Sequence, residues 1–416
     1  MTSDNWNNND NWDDTGDSWQ DNSNSGEFSE TEYRSWWQRI MDSIKGVLFG
    51  LLFVIVSGGV LFWNEGRAAK TAAALTEGAG IVQSVPNNAT APANNGRLVH
   101  VSGDTTASSE AADPDFGFSQ KGLKLSRKVE MYQWKEEKST ETRKNLGGGE
   151  ERVTTYRYVK VWSDRRINSN SFRRQNGHQN PDFPAVRSRS FAAAGAKLGA
   201  FKLNEGIIGR LGAGERVDVP DALLTRARER LGNRTRIQSG AIYAGYNPDS
   251  PSIGDVRVTY SLLPLQTVSV VAKQVGDGLE AYTAGNGRQI LLASTGAKDA
   301  AAMFQSAQDS NTMLTWVIRA FGILFMFAGF AMVLAPISVV ASVVPILGDI
   351  AGFGTSLIAM IATAITAPVI IAIAWFFYRP LLSAIVLAVG VAVVYGLKQW
   401  GKQRAAGRIP ARAARA

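Results

Sequence analysis

Two histidines, two pairs of adjacent glutamates and two dense arginine runs are the residues of this 416-residue chain whose types and spacing could do chemistry. His178 lies in NGHQNP, among turn formers. An imidazole there could ligate a metal or act as a base, but one histidine in a turn is far more often a hydrogen-bonded turn residue, and the structural reading is preferred. His100, inside GRLVHVSGD, reads as a strand residue. Glu136–Glu137 and Glu150–Glu151 are sequence neighbours, so on a strand each pair points to opposite faces and reads as surface charge. TRARERLGNRTR (225–236) spreads Arg226, Arg228 and Arg230 around a helix instead of along one stripe, and RRINSNSFRR (165–174) is the other dense run. Nucleic-acid binding is not expected from either; attraction to anionic lipid headgroups is.

The chain has no glycine-rich phosphate loop closed by Lys and Ser or Thr, no HExxH and no GxSxG, and LGAGE (211–215) lacks the glycine spacing of a dinucleotide fingerprint. Zero cysteines exclude disulfides, thiolate zinc sites, iron–sulfur clusters and cysteine nucleophiles. No catalytic residue, cofactor or metal is therefore expected. Ser–Lys or carboxylate pairs that only folding could assemble stay open.

The elements that must position these residues follow from the charge map. Residues 1–32 hold nine acids and no base, so all 44 basic residues lie in the remainder. Gly46 to Trp63 is 18 residues without a charge, and Leu314 to Leu397 is 84 residues carrying only Arg319, Asp349 and Arg379. A membrane span needs about 20 such residues, and a soluble domain does not carry so long a run outside a very large core. The expected fold is a multi-pass α-helical membrane protein, with one N-terminal span, three C-terminal spans and a large β-rich α+β extracytoplasmic domain.

Residues 1–32 read as a disordered acidic tail and 33–63 as an interfacial helix with Trp36 and Trp37 leading into the first span. The helix continues after Trp63 to a cap at Gly78. Residues 64–313 form the outer domain, with strands in GRLVHVSGD, KGLKLSRKVEMYQWKE, RVTTYRYVKVWSD, GDVRVTYSLL and QTVSVVAKQVG, a turn at LGGGEE, and a helix from Pro220 to Leu231 burying Leu223, Leu224, Ala227 and Leu231. Residues 314–397 form a bundle with spans at 314–335, 353–378 and 381–397. PISVVASVVPILGD, bounded by Pro336 and Pro345, is expected to be re-entrant or interfacial. The tail 398–416 has six bases and no acid, which places it in the cytoplasm; four spans return the N-terminus to that side. Residues 64–313 then face the periplasm, the cell exterior or an organelle lumen.

Within the spans the small residues stand out. Ala384, Ala388, Ala392 and Gly396 recur every fourth position, and Gly46–Gly50 and Gly58–Gly59 mark the first span. Such stripes let helix backbones approach closely, inside one bundle or between copies. No ionisable residue is expected at mid-span, which disfavours a pump or proton-coupled transporter.

Several segments together resemble the LUMA, or transmembrane protein 43, family: NEGRAAKTAAALTEG (64–78), NNGRLVHVSG (94–103), KLSRKVEMYQWKEE (124–137), INSNSF (167–172), GHQNP (177–181), GDVRVTY (254–260) and WFFYRPL (375–381). The family-motif positions are Asn64, Glu65, Gly66, Arg67, Glu130, Trp134, Gly177, His178, Asn180, Pro181, Arg379 and Pro380. The resemblance runs from the first span to the fourth and omits the acidic tail. It implies a multi-pass protein of the endoplasmic reticulum or inner nuclear membrane that self-associates and scaffolds partners, and no enzyme. The Asn/Asp/Trp-rich beginning and the Arg/Ala-rich end instead look bacterial, pointing to a cytoplasmic membrane. The expected function is a non-enzymatic membrane scaffold, a homo-oligomer whose partners are lipids and unidentified proteins. A channel or channel-regulating subunit comes second, an enzyme acting on lipid or envelope material third.

Overall fold

The computed structural model describes residues 18–22, 27–381 and, beyond these, positions 383–385, 388, 392, 395, 396, 398 and 399. In chain order the elements used below are β1 (Ser18–Asn22), β2 (Glu27–Arg34), α1 (Trp36–Ile81), β3 (Leu98–Thr106), β4 (Lys124–Lys144), β5 (Glu150–Ser163), α2 (Leu224–Leu231), β6 (Thr235–Gln238), β7 (Ala241–Ala244), β8 (Val256–Leu263), β9 (Thr267–Val275), β10 (Leu292–Thr295), α3 (Ala300–Ala341) and α4 (Pro345–Tyr378). The chain divides into two compact units. One takes the described residues up to Arg39 with Ala74–Ala307 and Ser342–Pro345; the other takes Ile40–Ala73, Gln308–Ala341 and the described residues from Ile346 on.

The first unit is built on two sheets. The larger runs β1-β2-β5-β4-β8-β7-β6, and in the smaller β9 lies between β3 and β10. Alternation along β4 sends Leu125, Val129 and Met131 inward, opposite Leu262, Val258 and Val256 of β8. With Phe116, Phe118 and Ile242 they form one core cluster, each large side chain contributing about 1.5–3 kcal/mol by leaving water. A buried polar set sits beside it: Arg127 and Asp113 are paired at 2.6 Å, and the Tyr260 hydroxyl donates to Asp113 at 2.6 Å. Burial opposes the charge on Arg127, but the Asp113 carboxylate outweighs it and raises the guanidinium above its ordinary value. In the smaller sheet Val268, Val270, Val271 and Ala272 of β9 are fully buried. Ala74 and Leu75 of α1 and Met303 and Phe304 of α3 pack with Leu98, Val271 and Ile290 in a further cluster.

In the second unit, stretches of α1, α3 and α4 pack around Leu61, Met326 and Ala367. A side chain on Gly50 would put its Cβ 2.7 Å from the Gly329 carbonyl oxygen, and one on Gly329 would stand 2.8 Å from the Gly50 oxygen. The α1 and α3 backbones touch there, as small residues in spans allow. Three helices, Trp36–Ile81, Ala300–Ala341 and Ile346–Tyr378, are long and apolar enough to cross a membrane.

The strands expected from alternation are present, but several boundaries differ. Two strands, β1 and β2, stand where the sequence reads as a structureless acidic tail, and β2 pairs antiparallel with β5, from Glu27↔Arg157 to Arg34↔Glu150. Ser35 then caps α1 through a reciprocal box with Gln38, so the helix begins at Trp36. It passes Gly78 and ends at Ile81, because a helical glycine only costs stability where packing holds the turn. The segment 336–352 forms no element of its own. Pro336 lies inside α3, the helix runs on to Ala341, and Pro345 opens α4, where its missing N–H costs nothing. The proposed fourth span, 381–397, falls largely outside the described residues; Ala384, Ala388, Ala392 and Gly396 are described, and all four are helical and exposed.

Candidate functional site

Asn64, Glu65, Gly66 and Arg67 belong to the second unit, on the turn of α1 that follows the apolar run. At 100° per residue they point in different directions, so one short motif can engage several neighbours. Glu65 is 1 % exposed and is held by three donors. Arg319 of α3 donates Nε to Oε1 at 2.6 Å and Nη2 to Oε2 at 2.8 Å, and Trp375 of α4 donates its indole Nε1 to Oε2 at 2.8 Å. The Arg319 guanidinium also lies 4.7 Å over the Trp316 ring. Asn64, fully buried, donates Nδ2 to the Thr315 carbonyl at 3.1 Å. Arg67 donates to Asn311 Oδ1 at 3.0 Å, to Thr315 Oγ1 at 2.9 Å and to Asn64 Oδ1 at 3.2 Å, while Asn311 returns Nδ2 to the Ala68 carbonyl at 3.1 Å.

Gly66 completes the motif. A Cβ there would stand 2.6 Å from Tyr378 Cζ, so the ring lies against the α1 backbone, and Lys70 sits 5.9 Å from the centre of the same ring. Arg379 and Pro380 follow directly. The Arg379 N–H donates to the Trp375 carbonyl at 2.7 Å and its own carbonyl accepts from Ser383. The result is a polar seam joining α1, α3 and α4. The Glu65 carboxylate is saturated by charge-assisted bonds, so the arrangement suits helix registration and offers no free base. Arg319 reads in the sequence only as a charge near a span end and Trp375 only as part of WFFYRPL.

The first unit gathers the other motif residues around the β4–β5 pair. Gly177 takes φ +80°, a conformation that favours glycine, and turns the chain into His178. The His178 ring stacks on Tyr158 at 3.9 Å, meets Trp134 edge-on at 4.8 Å, and places Nδ1 3.2 Å from the Arg174 carbonyl. Asn180 acts as a piece of strand. Its Oδ1 accepts from the Trp134 N–H at 2.7 Å, and its Nδ2 donates to the Trp134 carbonyl at 2.9 Å and to Ile167 at 3.2 Å. Pro181 packs against Gly254. The Tyr158 hydroxyl donates to Glu136 at 2.9 Å; burial, with that carboxylate adding to it, pushes the phenol up to about 12. Glu136 also accepts from the Arg173 N–H at 2.6 Å. It is therefore a structural acceptor and not the plain surface charge that its sequence position suggests.

Glu130 lies on the opposite stretch of β4, bonded by Lys128 at 2.7 Å and Arg257 at 2.9 Å, with Arg257 stacked 4.5 Å over Trp162. Desolvation would raise its carboxyl, but the two cations outweigh this and hold it below the usual carboxylate range. His100 is buried in β3, its Nδ1 3.1 Å from Ser84 Oγ and its Nε2 2.9 Å from the Lys298 carbonyl. Among the described residues no group of three or more His, Asp or Glu is disposed to hold a metal.

A family model for transmembrane protein 43 matches residues 131–380. The chain is 34 % identical to transmembrane protein 43 of Mus musculus over 362 residues, 84 % of this chain and 88 % of that one. It is also 34 % identical to transmembrane protein 43 of Homo sapiens over 370 residues, 86 % and 90 % of the two chains. The homolog of Drosophila melanogaster is 28 % identical over 356 residues, 83 % and 92 % of the two. No solved structure matches. The matched relatives are animal proteins, so the bacterial origin suggested by the two tails finds no support among them. A family model covering more than half of the chain and relatives aligned along most of both lengths agree with the apolar helices and the β-rich unit: this chain belongs to the transmembrane protein 43 family.

Proposed function

We propose that the protein is a non-enzymatic membrane scaffold that self-associates and presents its β-rich unit to partners or lipid. One observation carries this reading: the polar groups of the Asn64–Arg67 motif and their partners are spent on each other. Glu65 is neutralised by Arg319, and Asn64, Arg67, Asn311 and Thr315 satisfy one another, which fixes three helices and leaves no group aimed at a substrate. The exposed face of Ala384, Ala388, Ala392 and Gly396 supports close helix contact with another copy. In a eukaryotic cell the family resemblance supports a place in the endoplasmic reticulum or inner nuclear membrane. Protein reconstituted in liposomes should pass no ions and should be cross-linked into a discrete oligomer. Ion flux abolished by Glu65→Gln would overturn the scaffold reading in favour of a channel.

For topology, the six-base tail supports cytosolic termini, with residues 64–313 on the far side of the membrane. The β2–β5 ladder qualifies this. Its eight pairs join Glu27–Arg34 to Glu150–Arg157, which supports a reading in which the tip of the β4–β5 hairpin lies on the same side as the N-terminus. Cysteines introduced singly at Ser119 and Ser252 should react with an impermeant thiol reagent applied on the far side, while those at Ser29 and Leu146 should not. Labelling at Leu146 together with Ser119 would sink the hairpin placement; the fully reversed pattern would invert the topology.

A further inference from the structure

Glu150, the first residue of β5, is one buried carboxylate facing three arginines. Arg39 Nε stands 3.0 Å from Oε2, Arg152 Nη2 3.5 Å from Oε1 and Arg34 Nη1 3.9 Å from Oε1. Arg34 comes from the end of β2, Arg39 from the first turn of α1 and Arg152 from β5 itself. The register puts Lys144 of β4 directly opposite Glu150 as well, and Glu32 opposite Arg152. At this end of the face Arg34, Arg39, Lys144 and Arg152 lie around two carboxylates, Glu150 and the half-exposed Glu32, which bonds Arg34 at 3.0 Å; Glu30, farther along the same face, is paired with Arg173.

The arginines are not equivalent. Arg39 is structural: it is 9 % exposed and its Nη1 also donates to the Gly148 carbonyl and, at 2.9 Å, to Ser342 Oγ. Arg34 and Arg152 keep 25 % and 36 % of their side chains open to solvent. Arg152 Nε, moreover, is a buried donor with no acceptor in the structure. An excess of positive charge beside an unsatisfied guanidinium N–H is the signature of a missing oxyanion, since leaving such a donor unpaired is costly.

Its place in the sequence identifies the oxyanion. Arg39 precedes the uncharged run that begins at Gly46 by about 10 Å of helix, and Trp36 and Trp37, the latter 64 % exposed, stand on the same turn. That is the depth of lipid headgroups, where tryptophan belts and basic clusters meet anionic phosphates. We infer that Arg34 and Arg152, positioned by Arg39 and Glu150, form a binding site for the phosphate of an anionic phospholipid headgroup. The phosphate supplies the acceptor that Arg152 Nε lacks and offsets the excess cations. The inference rests on the β2–β5 ladder persisting in the membrane.

The test uses the full-length protein purified from vesicles of phosphatidylcholine with phosphatidic acid, and native mass spectrometry to count retained lipid. Wild type should hold phosphatidic acid. Arg152→Gln should lower its retention about tenfold or more, the loss expected when one charge-assisted bond is removed. Arg143→Gln, on the other face of the neighbouring strand, should leave retention unchanged. Inorganic phosphate at the same concentration should not displace the lipid; displacement would make this a free-anion site and overturn the lipid assignment. Unchanged retention in a folded Arg152→Gln protein would overturn the site itself. A paired Ser29→Cys and Thr155→Cys variant, at directly opposed positions, separates this from the reading beneath it. A cross-link with unaltered lipid retention defeats only the lipid site, whereas no cross-link in membranes defeats the ladder on which it stands.

Discussion

Replacing Glu65 with Ala removes the acceptor of two Arg319 bonds and one Trp375 bond, and leaves a guanidinium that is 13 % exposed facing apolar helix surface. Breaking a buried pair from one side costs about 3–5 kcal/mol, and the partly open Arg319 end argues for the lower value, about 3 kcal/mol. Removing both charges is a different perturbation. Glu65→Ala with Arg319→Met leaves no unpaired ion, only the Trp375 N–H without its acceptor, so the double variant should lie within about 1–2 kcal/mol of wild type. Equilibrium unfolding in mixed micelles, followed by circular dichroism, should therefore show the second substitution rescuing the first. The coupling should stand well clear of the ~0.5 kcal/mol within which independent sites add. Simple additivity of the two single variants would refute the reasoning, because it would mean that Glu65 and Arg319 do not hold each other in the membrane.

Asn180→Ala strands both the Trp134 N–H and its carbonyl and should cost about 2–3 kcal/mol in thermal or chemical unfolding, whereas Asn180→Asp, which keeps one acceptor, should cost less. His178→Ala loses a stacked and an edge-on ring contact and should destabilise by about 1–3 kcal/mol; a stably folded variant that lost a measured turnover would instead make His178 catalytic. Tyr158 is held protonated up to about 12 in the fold against an ordinary phenol near 10. Its share of stability is thus complete below pH 10 and lost as pH rises toward 12, an alkaline limb that Tyr158→Phe should remove from a stability–pH curve. Ala388→Leu should weaken the oligomer on cross-linking while Val389→Leu does not; equal behaviour of the two would show that the stripe faces only lipid.

The apolar runs and the alternating strands were legible in the sequence because hydropathy and period-2 patterning are local signals. The polar seam was not. Arg319 and Trp375 lie 254 and 310 residues from Glu65, and nothing in NEGR or WFFYRPL states that one carboxylate binds both. Glu136 and Glu150 show the same limit. Adjacent glutamates on a strand do point apart, as expected, but which member meets a tyrosine or three arginines depends on strand order. The strand 27–34 was hidden by its acidic composition, which β5 offsets with Arg152 opposite Glu32 and Arg157 opposite Glu27.

Asn180 also has a meaning for how the unit tolerates change. A side-chain amide carries the same donor and acceptor as a peptide group, and here it occupies a rung beside Trp134 that a neighbouring strand would otherwise supply. The segment that carries it is thereby held through the side chains of His178, Asn180 and Pro181 and not along a length of paired backbone. Residues inserted or deleted outside the stretch from Gly177 to Pro181 leave the register of β4 unshifted. The loop can vary in length while the sheet beneath it stays fixed, a freedom that a conventional extra strand would deny.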